Sequence, residues 1–169
     1  GGATQFFTLS NVTEFDGDNL SEVVDGTLSA VQKEVLRNII YAVETGGQTY
    51  GRKDYTDFTE AYANTSLEHA ITIGAGCWYG PEAKTLLNLI KKTYPTKFAE
   101  LDTAGIAADL ESADWSTYKL SKDSAKANCI VAIISSAEGI ACQDALMDQQ
   151  IEQYVKDAYD RGVTDAKAL

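Results

Sequence analysis

From Ser29 onward, apolar residues recur at helical spacing: Val31, Val35, Leu36, Ile39, Ile40 and Val43. That period predicts an amphipathic helix over Ser29–Glu44, about four turns long. Gly46-Gly47 supply its stop, as glycine past a last turn does. Upstream, residues 1–27 are mixed and polar, with Gly17, Asp18 and Gly26 as turn signals, and read as an irregular or short-helical lead-in. Downstream, Gln48–Gly76 is rich in Thr, Tyr and Phe and bracketed by glycines. With the β-prone run Ala70-Ile71-Thr72-Ile73 it predicts a small strand-and-turn region.

Helical spacing returns at Pro81. Glu82–Tyr94 places Ala83, Leu86, Leu87 and Ile90 on one side, and Pro95 ends the run. Phe98–Leu101, Thr103–Leu110 and Ser121–Ser135 follow as shorter helices. Ser136–Tyr159 reads as two pieces, the second running through Ala145, Met147, Ile151, Tyr154 and Val155. The fold class expected is α+β, mainly helical, with one small β insertion after the first strong helix.

The 169 residues suit a single domain over 1–169 with a proper core. Apolar residues make up 44% and charged ones 23%, an ordinary globular balance rather than a disordered one. The longest apolar run, around Ile130–Ile134, falls far short of the roughly 20 residues that cross a bilayer, so no membrane association is expected. A net charge of −11 argues against nucleic acid, whose phosphates require a Lys/Arg surface. Cys77, Cys129 and Cys142 are widely spaced, and with one histidine they assemble no zinc set, so neither metal nor cofactor is expected. Cys129 and Cys142 read as buried thiols, with a disulfide between them the lesser alternative. No signal peptide is visible in Gly1-Gly2-Ala3, which is set aside as a processed end or a scar. Thr164 reads as the N-cap of a helix that the end of the sequence cuts short, so a piece of a longer chain is expected.

The chemistry centres on Glu44. A carboxyl closing a helix faces the negative end of the dipole, which favours its protonated form and suits a general acid. A solvated last-turn glutamate is the plain alternative. Then comes Ile71-Thr72-Ile73-Gly74-Ala75-Gly76-Cys77-Trp78-Tyr79-Gly80, where three glycines interrupt a β-prone run. They allow close backbone approach to a ligand or to another segment. Trp78 and Tyr79 read either as an apolar platform for a sugar ring or as core aromatics. Gly74-Ala75-Gly76 is no phosphate loop, since no Gly-Lys-Ser/Thr follows.

Glu44-Thr45-Gly46-Gly47 resembles the Glu-Ser-Gly signature of lytic transglycosylases and goose-type lysozymes, whose glutamate is the catalytic acid at a helix end. Thr72-Ile73-Gly74-Ala75-Gly76 is similar to the Thr-Ile-Gly-x-Gly segment of small phage lysozymes, in which the threonine lines the cleft. The stretch Ile39–Gly80, with Gln48-Thr49-Tyr50-Gly51 and Glu68-His69-Ala70-Ile71-Thr72, looks like the lysozyme-like domains of phage peptidoglycan hydrolases. A looser likeness continues through Ala83–Tyr94 and Gly139–Ile151. The resemblance implies a lysozyme-like fold and cleavage of the β-1,4 bond between amino sugars of peptidoglycan. It implies a monomer that acts on glycan strands at the bacterial wall, released by lysis or delivered by a phage particle.

Within that reading Glu44 is the general acid, and the second carboxylate is sought among Asp54, Asp57, Glu60 and Glu68, with Glu68 first and Asp57 the next choice. On an extended strand Glu68, Ala70 and Thr72 would share a face, with His69 turned away. Asp57, Thr72, Cys77, Trp78 and Tyr79 are the candidate substrate-binding residues. Cys77 departs from the family pattern, which has glutamine there; a thiol donates and accepts hydrogen bonds poorly. Two other readings remain open: a wall-binding module that kept the fold without the activity, and a helical interaction domain.

Overall fold

The computed structural model describes residues 26–44, 53–61 and 69–162. Among these residues the chain is mainly helical, with six α-helices and a three-stranded antiparallel sheet. The expectations on the lead-in before residue 26, on Gly46-Gly47, on Gln48-Thr49-Tyr50-Gly51, on Glu68 and on the Thr164 cap lie outside the described residues. The chain forms two compact units, Asp54–Gln143 and a second made of Gly1–Lys53 with Asp144–Leu169.

In the second unit, α1 spans Ala30–Glu44, as its apolar period predicts. Ser29 opens it with a reciprocal cap. The Gln32 N–H donates to Ser29 Oγ at 3.1 Å, and the Ser29 N–H donates to Gln32 Oε1 at 2.8 Å, which satisfies two otherwise orphaned donors. Every fourth residue of α1 then meets every fourth residue of the C-terminal part of α6 (Ala137–Asp160). Lys33 pairs with Glu152 at 2.7 Å, Arg37 with Asp148 at 2.6 Å, and the Tyr41 hydroxyl donates to Asp144 at 3.1 Å. The exposed Lys33 pair contributes little, and at the half-buried Arg37 the attraction is set against the cost of desolvating the guanidinium. Val35, Tyr41 and Ala42 from α1 are buried, as are Leu146, Met147, Ile151 and Val155 from α6.

The unit Asp54–Gln143 holds the sheet: β1 (Phe58–Thr59), β2 (Thr72–Ile73) and β3 (Trp78–Tyr79), ordered β1-β2-β3. Phe58 pairs with Ile73 and Ile73 with Trp78, all three buried; Thr59, Thr72 and Tyr79 form the half-exposed row behind them. α2 (Pro81–Thr93) begins with proline at its first position and buries Ala83, Leu86, Leu87 and Ile90, as expected. Pro95 both ends that run and opens α3 (Pro95–Leu101), since its fixed φ suits a first turn. α4 (Ile106–Ser112) starts three residues later than the apolar pattern predicts, because the Asp102 carboxylate accepts from the N–H groups of Gly105, Ile106 and Ala107. A 3-10 turn, Trp115–Thr117, leads on to α5 (Ala125–Ser135), which starts later than the expected Ser121 because Ser124 is its N-cap and accepts from the Ala127 N–H.

Residues 136–159 do not break into two pieces. α6 is one helix of 24 residues, because Gly139 falls in its first turn, where it interrupts nothing. A side chain at Gly139 would strike the Ile133 carbonyl oxygen, so glycine is what lets α6 start so close to the end of α5. Cys129 and Cys142 are buried free thiols, as expected, and are not bonded to each other. No single helix among the described residues is long and apolar enough to cross a membrane.

Candidate functional site

Four of the candidate residues gather at the sheet. Thr72 of β2 lies opposite Tyr79 of β3, both half-exposed. Asp57 and Cys77 stand one residue before β1 and β3 respectively, and the Cys77 thiol donates to Asp57 Oδ2 at 3.9 Å. Two turns hold these groups. In the first, the Asp57 N–H donates to the Asp54 carbonyl at 3.3 Å, and Asp54 Oδ1 accepts from the Thr56 N–H and hydroxyl. In the second, the Cys77 N–H donates to the Gly74 carbonyl at 3.1 Å, closing the β2–β3 hairpin. The Gly74 N–H then donates to the Asp57 carbonyl at 2.8 Å and ties one turn to the other.

The hairpin is tightly constrained. Gly74 has φ +79°, and an added Cβ would lie 2.8 Å from Gln143 Oε1 and 3.0 Å from the Trp78 ring. Here the glycine serves close approach of another segment, one of the two uses the sequence allowed. Cys77 has φ +47°, the one non-glycine residue with positive φ among the described residues, a conformation that costs about 1–2 kcal/mol.

The electrostatics single out Asp57. Burial, reinforced by the neighbouring Asp54 carboxylate, pushes its carboxyl above the usual range; the Cys77 thiol and Lys122 pull weakly the other way. Among the described residues no cation lies within ion-pairing distance of it.

Other candidates fall elsewhere. Trp78 is 1% exposed and lies on the buried face with Phe58 and Ile73. It is a core aromatic; the sugar platform is excluded because no ring face is open. Tyr79 is half-exposed, and its hydroxyl accepts from the His69 N–H at 2.6 Å. Glu44 is the exposed last residue of α1, in the other unit. Glu68 lies outside the described residues. The alternation invoked for it does not extend through the neighbouring segment, because Ala70 is at a bend and both Ala70 and Ile71 are buried. No group of three metal-ligating side chains occurs among the described residues.

Sequence reasoning named Asp54 among the carboxylates but missed Gln143 and Lys122. Nothing in the local pattern distinguishes these two residues; their relevance comes from contacts with distant parts of the chain. No family model, curated protein or solved structure matches the chain.

Proposed function

We propose that the chain is a glycosidase of the lysozyme type that cuts the β-1,4 bond between amino sugars of peptidoglycan. The observation that carries this reading is Asp57. It is a half-buried carboxyl raised above the usual range, at a sheet that presents the Thr72 and Tyr79 side chains. Carboxyls shifted by burial and a like-charged neighbour are candidates for acid–base chemistry. The order of elements supports the same reading: a helix ending at Glu44, then the sheet with its glycine turn, then a helix opened by Pro81.

The resemblance assigns to Glu44 the role of general acid, which gives its proton to the departing glycosidic oxygen while positive charge builds on the sugar ring. Water adds to the ring carbon and passes a proton to Asp57. A carboxylate made more basic by burial suits that role better than the role of a permanently ionised stabiliser. Asp57 therefore replaces Glu68 as second carboxylate in this proposal. The Thr72 and Tyr79 hydroxyls supply hydrogen bonds to sugar hydroxyl and acetamido groups.

Dye release from purified Gram-positive walls, followed by mass analysis of the fragments, tests the reading. Hydrolysis gives reducing-end amino sugars one water heavier than anhydro products, which would indicate transglycosylation instead. Walls that remain intact overturn the enzymatic reading. If the protein then sediments with them, it is a binding module; if it does not, a helical interaction domain.

A further inference from the structure

Gln143, near the start of α6, is fully buried, yet it carries a polar amide. Three of its partners are backbone groups. Its Oε1 accepts from the Ala75 N–H at 2.8 Å; its Nε2 donates to the Tyr55 carbonyl at 3.0 Å and the Ile134 carbonyl at 2.9 Å. Tyr55 stands two residues before Asp57, and Ala75 two residues before Cys77. One side chain therefore clips both turns of the candidate site to the last turn of α5. Gly74 completes the fit, because any side chain there would strike the amide oxygen.

We propose that Gln143 is a positioning residue for the peptidoglycan-cleaving site: its buried amide fixes the depth at which the Asp57 carboxyl sits beside Cys77. The proposal rests on the glycosidase reading for its purpose, but its geometry stands without it. Both amide functions are required. A carboxylate at 143 has no donor for the Tyr55 and Ile134 carbonyls, and an apolar side chain leaves three backbone groups without their partner. The groups facing Asp57 are Asp54 on its own turn, Cys77 from the hairpin and Lys122 from the loop before α5. Loosening the clip lets water reach the carboxyl and separates it from the thiol.

The test combines a titration with thiol chemistry, neither of which needs enzyme activity. In Gln143→Met, which keeps the side-chain length but neither donor nor acceptor of the amide, the Asp57 side-chain carbon followed by NMR should titrate lower, by about half a pH unit or more. Cys77, the one half-exposed thiol beside buried Cys129 and Cys142, should be alkylated several-fold faster. On walls, kcat should fall with KM little changed. Gln143→Asn retains the amide one methylene short and should show the same two shifts if the methionine form does not fold. In the parent chain the Ala75 N–H should exchange among the slowest amides. A variant that melts lower while Asp57 titration and Cys77 alkylation keep their parent values makes Gln143 merely structural and overturns the proposal. So does an Ala75 N–H that exchanges like a surface turn. Failure of the parent to cleave walls overturns only the glycosidase reading.

Discussion

Asp57 and Asp109 are both half-buried carboxylates of the unit Asp54–Gln143, and they are tuned in opposite directions. Burial pushes both carboxyls up. At Asp109 that push is overcome, because Lys126 donates to its carboxylate at 2.7 Å and the Tyr118 hydroxyl donates to the same oxygen, holding the carboxyl below its usual range. The corner is braced further: Trp115 stacks on Tyr118 with ring centroids 3.9 Å apart, and its indole N–H donates to the Asp109 main-chain carbonyl at 2.9 Å. At Asp57 the adjacent groups are another carboxylate and a weakly donating thiol, and the carboxyl stays high. Burial thus does not decide which way a carboxyl shifts; the partner does. A cation and a phenol make Asp109 a brace between α4 and α5. A like charge leaves Asp57 poised to take up a proton.

The comparison breaks first at the brace. Asp109→Ala should destabilise the fold by about 2 kcal/mol, because it removes a charge-assisted acceptor and leaves the buried Tyr118 hydroxyl without it. The wall-cleavage rate per folded molecule should not change. Chemical denaturation and a rate assay on one preparation check both halves.

The pH dependence sharpens it. A folded-state pKa raised above the unfolded value gives stability that is present in acid and lost as pH rises through the folded pKa. Asp57→Asn should therefore melt at or above the parent at neutral pH, with the advantage vanishing in acid. For Asp109 the sign reverses, since its lowered pKa gives stability that is lost as pH falls through the folded value. Asp109→Asn should be less stable than the parent at neutral pH, by a margin that shrinks in acid. Melting temperatures of the two variants over pH 2–8 should diverge in opposite senses; parallel curves would erase the distinction.

The smallest effect is expected at Cys77→Gly. Relief of the positive φ is set against greater freedom of the unfolded chain, so stability should change by no more than about 1 kcal/mol, on the stabilising side. Loss of the thiol donor should raise the Asp57 carboxyl slightly further, visible in the same NMR titration.

Local signals made much of this fold legible. The apolar period marked α1 and α2, and Pro81 marked a helix start. Short-range patterns failed where a cap or a distant partner decides. Asp102 delays α4, residues 136–159 read as two pieces although Gly139 sits harmlessly in a first turn, and Trp78-Tyr79 is not read as a strand because two residues have no period to recognise. The candidate site was visible only in its outline. Asp57, Thr72, Cys77 and Tyr79 were named from the sequence and do gather at the sheet. Gln143 was invisible, since its partners Ala75 and Tyr55 lie 68 and 88 residues away and a glutamine within a helix carries no signature of them.

Cleavage of purified Gram-positive walls by the parent, Glu44→Gln and Asp57→Asn, with thermal melts of each, tests the central claim most directly. Each substitution removes a transferable proton or its acceptor while keeping side-chain size, so each should lower the rate by about 10²–10⁴ and leave melting unchanged or raised. Variants that cleave at the parent rate would contradict it.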